Sequence, residues 1–280
     1  MTESLGGAEA PGSATPRFAG QRVVVKVGSS SVSGDNAAQI PRLVDSLARM
    51  YRAGCEVILV SSGAIATGVP FLRLDARPED LATQQAAAAV GQNILVNRYQ
   101  RALTVHEIIG GQVLLTAGDL ENDTHRVNAK RAVLRLLQLG ILPIINENDT
   151  VATHEIRFGD NDRLAALVAR LVGADQLVLL SDVDALYTAP PQQPGATRIR
   201  HVPFGDELAG VEIGATQSGW GTGGAATKVQ AARLAAEAGT AVLLTETKLL
   251  AAVLAGEDCG TTFAPAPRTT ADASNRAVLE

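Results

Sequence analysis

Apolar and polar positions along the chain fall into two alternating patterns. Short runs of β-branched and aliphatic residues, Arg22 to Val27, Glu56 to Val60, Gln112 to Thr116, Ile141 to Ile145, Gln176 to Leu180 and Ala241 to Leu244, predict buried strands. Between the first two, Ile40, Leu43, Val44, Leu47 and Tyr51 recur at three- and four-residue intervals, the spacing of one helix face, and Gly54 ends the pattern. Helices are predicted in the same way over Leu81 to about Val105, Arg126 to Leu139, Asn161 to Val172 and Thr227 to Ala238. Strands alternating with helices build βαβ units, so the fold class is α/β, with a mostly parallel central sheet covered by helices on both faces. Residues 1–16 and 265–280 are rich in Ala, Pro, Ser and Gly or Thr without periodicity and read as loose tails around one domain of about 17–268.

Composition narrows the function. With 280 residues, 46% of them hydrophobic, a sizeable core can be buried. A net charge of -5 with 3% aromatics lacks the basic footprint and the stacking platforms of a nucleic-acid binder. No apolar run approaches the roughly 20 residues that span a bilayer. The first residues, MTESLGGAEAPGSATP, carry an acid where a signal peptide has lysines and hold no apolar stretch, so a cytoplasmic location is expected. Cys55 and Cys259 show no ligand-type spacing and read as buried free thiols. His106, His125, His154 and His201 show no metal-ligand pairing, and no metal site is assigned. Of 24 basic residues only Lys26, Lys130, Lys228 and Lys248 are lysines. A lysine kept beside glycines in an arginine-using chain suggests a compact point charge held against a phosphate, and Lys26 and Lys228 are the two such cases.

In an open α/β sheet, ligands bind beyond the carboxyl ends of the strands. Polar and glycine-rich residues collect at four of those ends: Lys26 with Gly28-Ser29-Ser30, Ser61-Ser62-Gly63, Asn146-Glu147-Asn148-Asp149, and Ser181-Asp182-Val183-Asp184. Any one of these is ordinary turn chemistry; four on one edge outline a site. The stretch Gly219 to Lys228 puts glycines ahead of a helix start, where backbone N–H groups and the helix dipole can cradle phosphate. Its spacing is neither that of a P-loop nor that of a dinucleotide fingerprint. Gly159-Asp160-Asn161-Asp162 opens another helix. One of its polar residues serves as N-cap, and the surplus is free to orient a lysine, a metal or an amino group.

The segments VVVKVGSS, VSSGAIATG, NENDTVATHEIRFGDND, LLSDVDALY and GTGGAATK, in this order, resemble the amino acid kinase family, in its glutamate-phosphorylating branch, over about residues 20–268. N-acetylglutamate kinases of the same family usually carry Gly-Gly after the first lysine, where this chain has Gly28-Ser29. The resemblance implies a three-layer αβα sandwich with a glutamate lobe of about 17–172 and an ATP lobe of about 173–268. It implies transfer of phosphate from ATP, with Mg2+, to the side-chain carboxylate of L-glutamate, the first step toward proline. ATP contacts fall to Lys26, Ser181, Asp182, Thr222, Gly223, Gly224, Ala225, Ala226, Thr227 and Lys228, and glutamate contacts to Ser62, Asp149, Asn161 and Asp160. Asp162 resembles the carboxylate that holds the two lysines, so Lys26, Lys228 and Asp162 form the catalytic set. Trp220 and Ala225 depart from the usual smaller aliphatic and methionine of that loop. Many members also carry a C-terminal PUA domain, for which this chain ends too soon. A homo-oligomer, feedback by proline at the glutamate site and a downstream glutamyl phosphate reductase are the implied partners, with no nucleic acid and no membrane.

The chemistry suits these residues. A carboxylate acceptor with an ordinary pKa near 4.3 is ionised at pH 7 and needs no general base. The obstacle is charge, an anion approaching an anionic phosphoryl group, so positioned cations must supply the stabilisation. On this reading Asp149 accepts from the substrate ammonium, and Ser62 and Asn161 donate to its carboxylates. Two alternatives compete: a kinase of the same fold acting on N-acetylglutamate or another small acid, and a catalytically silent amino-acid or nucleotide sensor. A free ammonium demands an acidic partner, which Asp149 supplies; sensing alone would not require both Lys26 and Lys228.

Overall fold

The computed structural model describes residues 17–73, 78–151, 161–209, 211 and 224–267. The elements in chain order are β1 (Arg22–Val27), α1 (Ser29–Val32), α2 (Ile40–Arg52), β2 (Glu56–Val60), α3 (Ala64–Gly68), α4 (Leu81–Thr104), β3 (Ile109–Leu115), α5 (Ala117–Glu121), α6 (Asp123–Gln138) and β4 (Ile141–Glu147). They continue with α7 (Asn161–Val172), β5 (Gln176–Ser181), β6 (Leu186–Tyr187), β7 (Arg198–Ile199), β8 (His201–Val202), α8 (Ala225–Glu237), β9 (Ala241–Glu246), α9 (Leu250–Leu254) and β10 (Thr261–Phe263). Eight strands form one sheet in the order β3-β4-β2-β1-β5-β9-β10-β8, parallel except where β10 runs against β9, and β6 pairs with β7 apart from it. The α/β class with a mostly parallel sheet is the observed one.

Strand alternation divides the core. Val23, Val25 and Val27 of β1 face a cluster built with Ile40, Leu43 and Leu47 of α2 and Leu95, Tyr99 and Leu103 of α4. Val24 faces the opposite cluster, with Leu164, Ala165 and Val168 of α7 and Ala231, Ala232 and Ala235 of α8. Helices therefore cover both faces, giving the three layers. Lys26, two residues after Val24, belongs by the same alternation to the α7/α8 face. A buried valine contributes about 1.5–3 kcal/mol, whereas an unpaired buried ammonium costs several. Lys26, only 3% exposed, thus requires a buried counter-charge.

Where the sequence reading and the structure differ, the cause is local. β3 starts at Ile109, ahead of Gln112, because Gly110 and Gly111 hide the strand pattern; a Cβ on Gly110 would meet Ile144 Cδ1 at 2.9 Å and Leu103 Cδ1 at 3.0 Å, so the neighbours fill that space. α6 starts at Asp123, where the Asn122 side chain accepts from His125 N at 3.0 Å. α8 starts at Ala225, so part of the stretch read as a glycine loop is helix. The chain from Pro265 is not loose throughout: Ala266 N–H donates to Ala236 O at 2.8 Å. Of the two free cysteines, Cys55 is buried but Cys259 is only half-buried. The tails 1–16 and 268–280 lie outside the described residues, as do His154 and Trp220. Among the described residues no helix is long and apolar enough to cross a membrane.

α3 and α4 cross with almost no space between their backbones. A Cβ built on Gly91 would lie 1.8 Å from Ala64 O, and one on Gly68 would lie 1.9 Å from Ala87 O. Gly91→Ala is expected to destabilise the protein, although alanine in a helix ordinarily gains about 1 kcal/mol over glycine. The clash is with backbone, so no rotamer relieves it, and overpacking of this kind costs about 1–3 kcal/mol or more. Urea unfolding checks the sign; a variant as stable as the parent would mean that the helices separate freely.

Candidate active site

The carboxyl ends of β1, β2, β4, β5 and β9 lie along one edge of the sheet, and the chain reverses its direction of strand addition at β1, which has β2 on one side and β5 on the other. That is the switch point at which an open α/β sheet forms its crevice. Lys26 sits there, in register with Val60 of β2 and Leu179 of β5.

Asp162, in the first turn of α7, is fully buried, and its carboxylate holds both lysines: Oδ1 pairs with Lys26 Nζ, and Oδ2 accepts from Lys228 Nζ at 3.0 Å. Lys228 comes from the first turn of α8, which packs on α7 through Ala231, Ala232 and Ala235, residues small enough to bring the two helix starts together. Burial pushes the Asp162 carboxyl up, but the charges and hydrogen bonds of Lys26 and Lys228 outweigh it and hold the group below its ordinary range. Among the described residues, two cations and one anion give this buried cluster a net charge of +1. A further anion is the natural completion of such a site, because it supplies the missing counter-charge where water cannot.

The start of α8 is shaped for the same ligand. Its N-cap, Gly224, provides no side-chain cap, and the first helical hydrogen bond is Lys228 N–H to Gly224 O at 3.3 Å, which leaves the amides of Ala225, Ala226 and Thr227 without helical partners. The Thr227 hydroxyl turns back to donate to Gly224 O at 2.9 Å. Ser181 is buried at the end of β5 and donates to Asp182 Oδ1 at 3.1 Å, whereas Asp182 itself is exposed. Thr222 and Gly223 lie outside the described residues.

The opposite side of the crevice is a network of amides and hydroxyls. Asn161 Nδ2 lies 3.1 Å from Ser61 O, 3.0 Å from Ser62 Oγ and 3.1 Å from Asn146 Oδ1, and three oxygens around one atom fix the orientation of the amide. Asn161 Oδ1 is then buried with no hydrogen-bond partner among the described residues. The unpartnered atom of Asn161 is thus its oxygen, whereas the sequence reading gave the residue the role of a donor to the glutamate carboxylates. Asp149 is half-buried in the turn after β4, and Asp160 lies outside the described residues. Gly63, at φ 94, turns the chain so closely that a Cβ there would meet Ser29 Cα at 3.3 Å, which seats the loop after β2 against that after β1.

Sequence reasoning missed three supporting residues. Tyr99 of α4 is fully buried with its hydroxyl 2.9 Å from Ser61 Oγ, and burial pushes its phenol up so that it stays neutral. Thr247, after β9, bonds Ser31 Oγ at 2.9 Å and donates to Ser181 O at 3.4 Å, tying α1 to the end of β5. Gln92 of α4 accepts from Asn146 Nδ2 at 2.6 Å. Only contact across the fold reveals them; none stands in a motif.

A parallel α/β sheet with paired buried lysines at its switch point defines a class, and the comparisons agree. The sequence profile of the amino acid kinase family matches residues 21–245, and the chain belongs to that family. Within it the chain groups with the glutamate 5-kinases. That of Clavibacter michiganensis subsp. michiganensis is 72% identical over 245 residues, 88% of this chain and 95% of the relative. That of Leifsonia xyli subsp. xyli is 68% identical over 255 residues, 91% and 94% of the two chains. Among solved structures, carbamate kinase from Giardia lamblia bound to AMP-PNP superposes with a TM-score of 0.64 at 15% identity, covering 89% of this chain and all of that one, a likeness of fold alone.

Proposed function

We propose that the chain transfers the γ-phosphoryl group of ATP to the side-chain carboxylate of L-glutamate, giving L-glutamyl 5-phosphate and ADP, the first step of proline biosynthesis. The observation that carries this reading is the Asp162 carboxylate holding Lys26 and Lys228 in one buried cluster of net positive charge. In this transfer a glutamate oxygen forms a bond to the γ-phosphorus as the bond from that phosphorus to the β–γ bridging oxygen breaks. No proton moves at the acceptor, because it is already ionised. Lys26 and Lys228 stabilise the charge that spreads over the phosphoryl oxygens, and Asp162 keeps the two ammonium groups apart and aimed.

The described residues fit the nucleotide: the amides of Ala225 to Thr227, which precede the first helical hydrogen bond, and the Lys228 ammonium suit its phosphates, and Ser181 and Asp182 stand at the neighbouring strand end. Mg2+ would neutralise part of the phosphate charge; the Asp162 carboxylate, committed to the two lysines, is not assigned to hold it. On the glutamate side, Asp149 and the Asn161 carbonyl oxygen accept from the α-ammonium, and Ser62 donates to a carboxylate. The lobes of this reading are residues 17–172, whose strands supply β3-β4-β2-β1 of the sheet, and 173–268, which supply β5-β9-β10-β8. A cytoplasmic homo-oligomer answering to proline and feeding a glutamyl phosphate reductase completes it. In favour of association, the outermost strand β3 exposes Ile109, at 62%, and Leu114 on an open edge.

The test is trapping of the acyl phosphate by hydroxylamine, with L-glutamate, N-acetylglutamate and L-aspartate in parallel. Hydroxamate from glutamate alone is the expected result. A preference for N-acetylglutamate would favour the sister reaction, and no ATP-dependent hydroxamate from any of them would favour a sensor.

A further inference from the structure

We propose that Gln92 is a positioning residue for glutamate, holding the Asn146 amide in place against that of Asn161; the proposal rests on the glutamate-kinase reading above. Three side-chain amides form a relay. Gln92 Oε1 accepts from Asn146 Nδ2 at 2.6 Å, Asn146 Oδ1 accepts from Asn161 Nδ2 at 3.1 Å, and Asn161 Oδ1 is the buried acceptor left over. A primary amide has one donor end and one acceptor end. Glu147 N–H fixes the oxygen of Asn146 and Ser61 O fixes the nitrogen of Asn161, and Gln92 takes up the remaining donor end of Asn146 in the same sense. If Asn146 were flipped, its NH2 would face that of Asn161 and its oxygen would face that of Gln92. Both contacts would then be repulsive.

Asn146 is 1% exposed, so loss of the Gln92 acceptor would leave its Nδ2 poorly satisfied. The Asn146 oxygen also accepts from Glu147 N at 2.9 Å, and the two anchors hold its opposite ends. The outcome is a buried carbonyl oxygen, an acceptor and not a donor, on the amide whose nitrogen bonds Ser62 Oγ. An ammonium satisfies it with a charge-assisted hydrogen bond; a carboxylate is repelled.

Two variants separate positioning from bulk packing. Gln92→Leu keeps the size and removes the acceptor, and Gln92→Glu keeps an acceptor oxygen in place. The expected result is that Gln92→Leu raises the KM for glutamate about tenfold, with the KM for ATP and kcat within about twofold of the parent, and that Gln92→Glu restores glutamate KM to within about threefold. A readout independent of turnover is hydrogen exchange of the Asn161 side-chain amide by NMR, expected to be slow in the parent and in Gln92→Glu and at least several-fold faster in Gln92→Leu. Unchanged glutamate KM and amide exchange in Gln92→Leu, or equal rises in both KM values with a lowered Tm and no rescue by Gln92→Glu, would overturn the relay. Faster amide exchange in Gln92→Leu, found together with a parent chain that makes no glutamyl hydroxamate, would uphold the relay and overturn the functional reading beneath it.

Discussion

The Lys228→Met variant is expected to fold as the parent does and to turn over about two orders of magnitude more slowly, or worse. Methionine has nearly the length of lysine and, at a position 8% exposed, suits its surroundings better than an unpaired ammonium would. Asp162 keeps Lys26 as its partner, so the buried cluster goes from a charge of +1 to neutral and no uncompensated ion remains. What is lost is a preorganised cation in a desolvated crevice, felt most in the transition state, when negative charge spreads over the phosphoryl oxygens. The loss should appear in kcat, with glutamate KM nearly unchanged. Turnover within a few-fold of the parent would remove Lys228 from the phosphoryl-transfer half of the site.

Asp162→Asn acts in the opposite direction and damages the fold as well. The amide oxygen cannot neutralise either ammonium, so the cluster rises from +1 to +2 inside the protein. Breaking a buried ion pair by removing one partner costs about 3–5 kcal/mol. The pH dependence follows from the lowered carboxyl. A carboxyl whose folded pKa lies below the unfolded value of 3.8 contributes stability that is fully present above 3.8 and is lost as the pH falls through the folded value. The difference in unfolding free energy between parent and Asp162→Asn should therefore be largest near neutrality and shrink below pH 3.8, as urea titrations at several pH values would record. Kinetically, Asp162→Asn should lower kcat, whereas Asp149→Asn, in the glutamate half, should raise glutamate KM by about ten- to a hundredfold and leave ATP KM alone. Equal effects of the two on glutamate KM would erase that division.

How far the sequence carried the reading depended on whether each signal was local. α7 is bounded by the residues its periodicity marks, Asn161 and Val172, because a helix face repeats within the helix itself. Lys26 was legible for the same reason: it ends a run of valines, and alternation alone puts it on the face of Val24. The start of β3 was hidden by two glycines, Gly110 packed by Leu103 and Ile144 and Gly111 by Leu136 and Ile141, and α8 was read two residues short because its glycine N-cap looks like loop. The site was legible as a set of strand ends, which are motif-like, but not as a network. Gln92 and Asn146 are 54 residues apart, and nothing in either neighbourhood signals their hydrogen bond. The orientation of the Asn161 amide was beyond sequence reasoning as well, since it is set by oxygens from the β2 end and from β4. Residue type located the side chain; only the surrounding acceptors decided which of its atoms faces the ligand.

The central claim is that Lys26, Asp162 and Lys228 act on one phosphoryl group as a unit, and a double-mutant cycle tests it most directly. Lys26→Met, Lys228→Met and the double variant would be compared by kcat for glutamate-dependent hydroxamate formation at saturating ATP. Residues that work as a unit have grossly non-additive effects. The double variant is therefore expected to be slower than either single variant by no more than a few-fold. Free-energy losses that add, so that the double variant is slower by the product of the two single factors, would mean that the lysines act independently and would contradict the account.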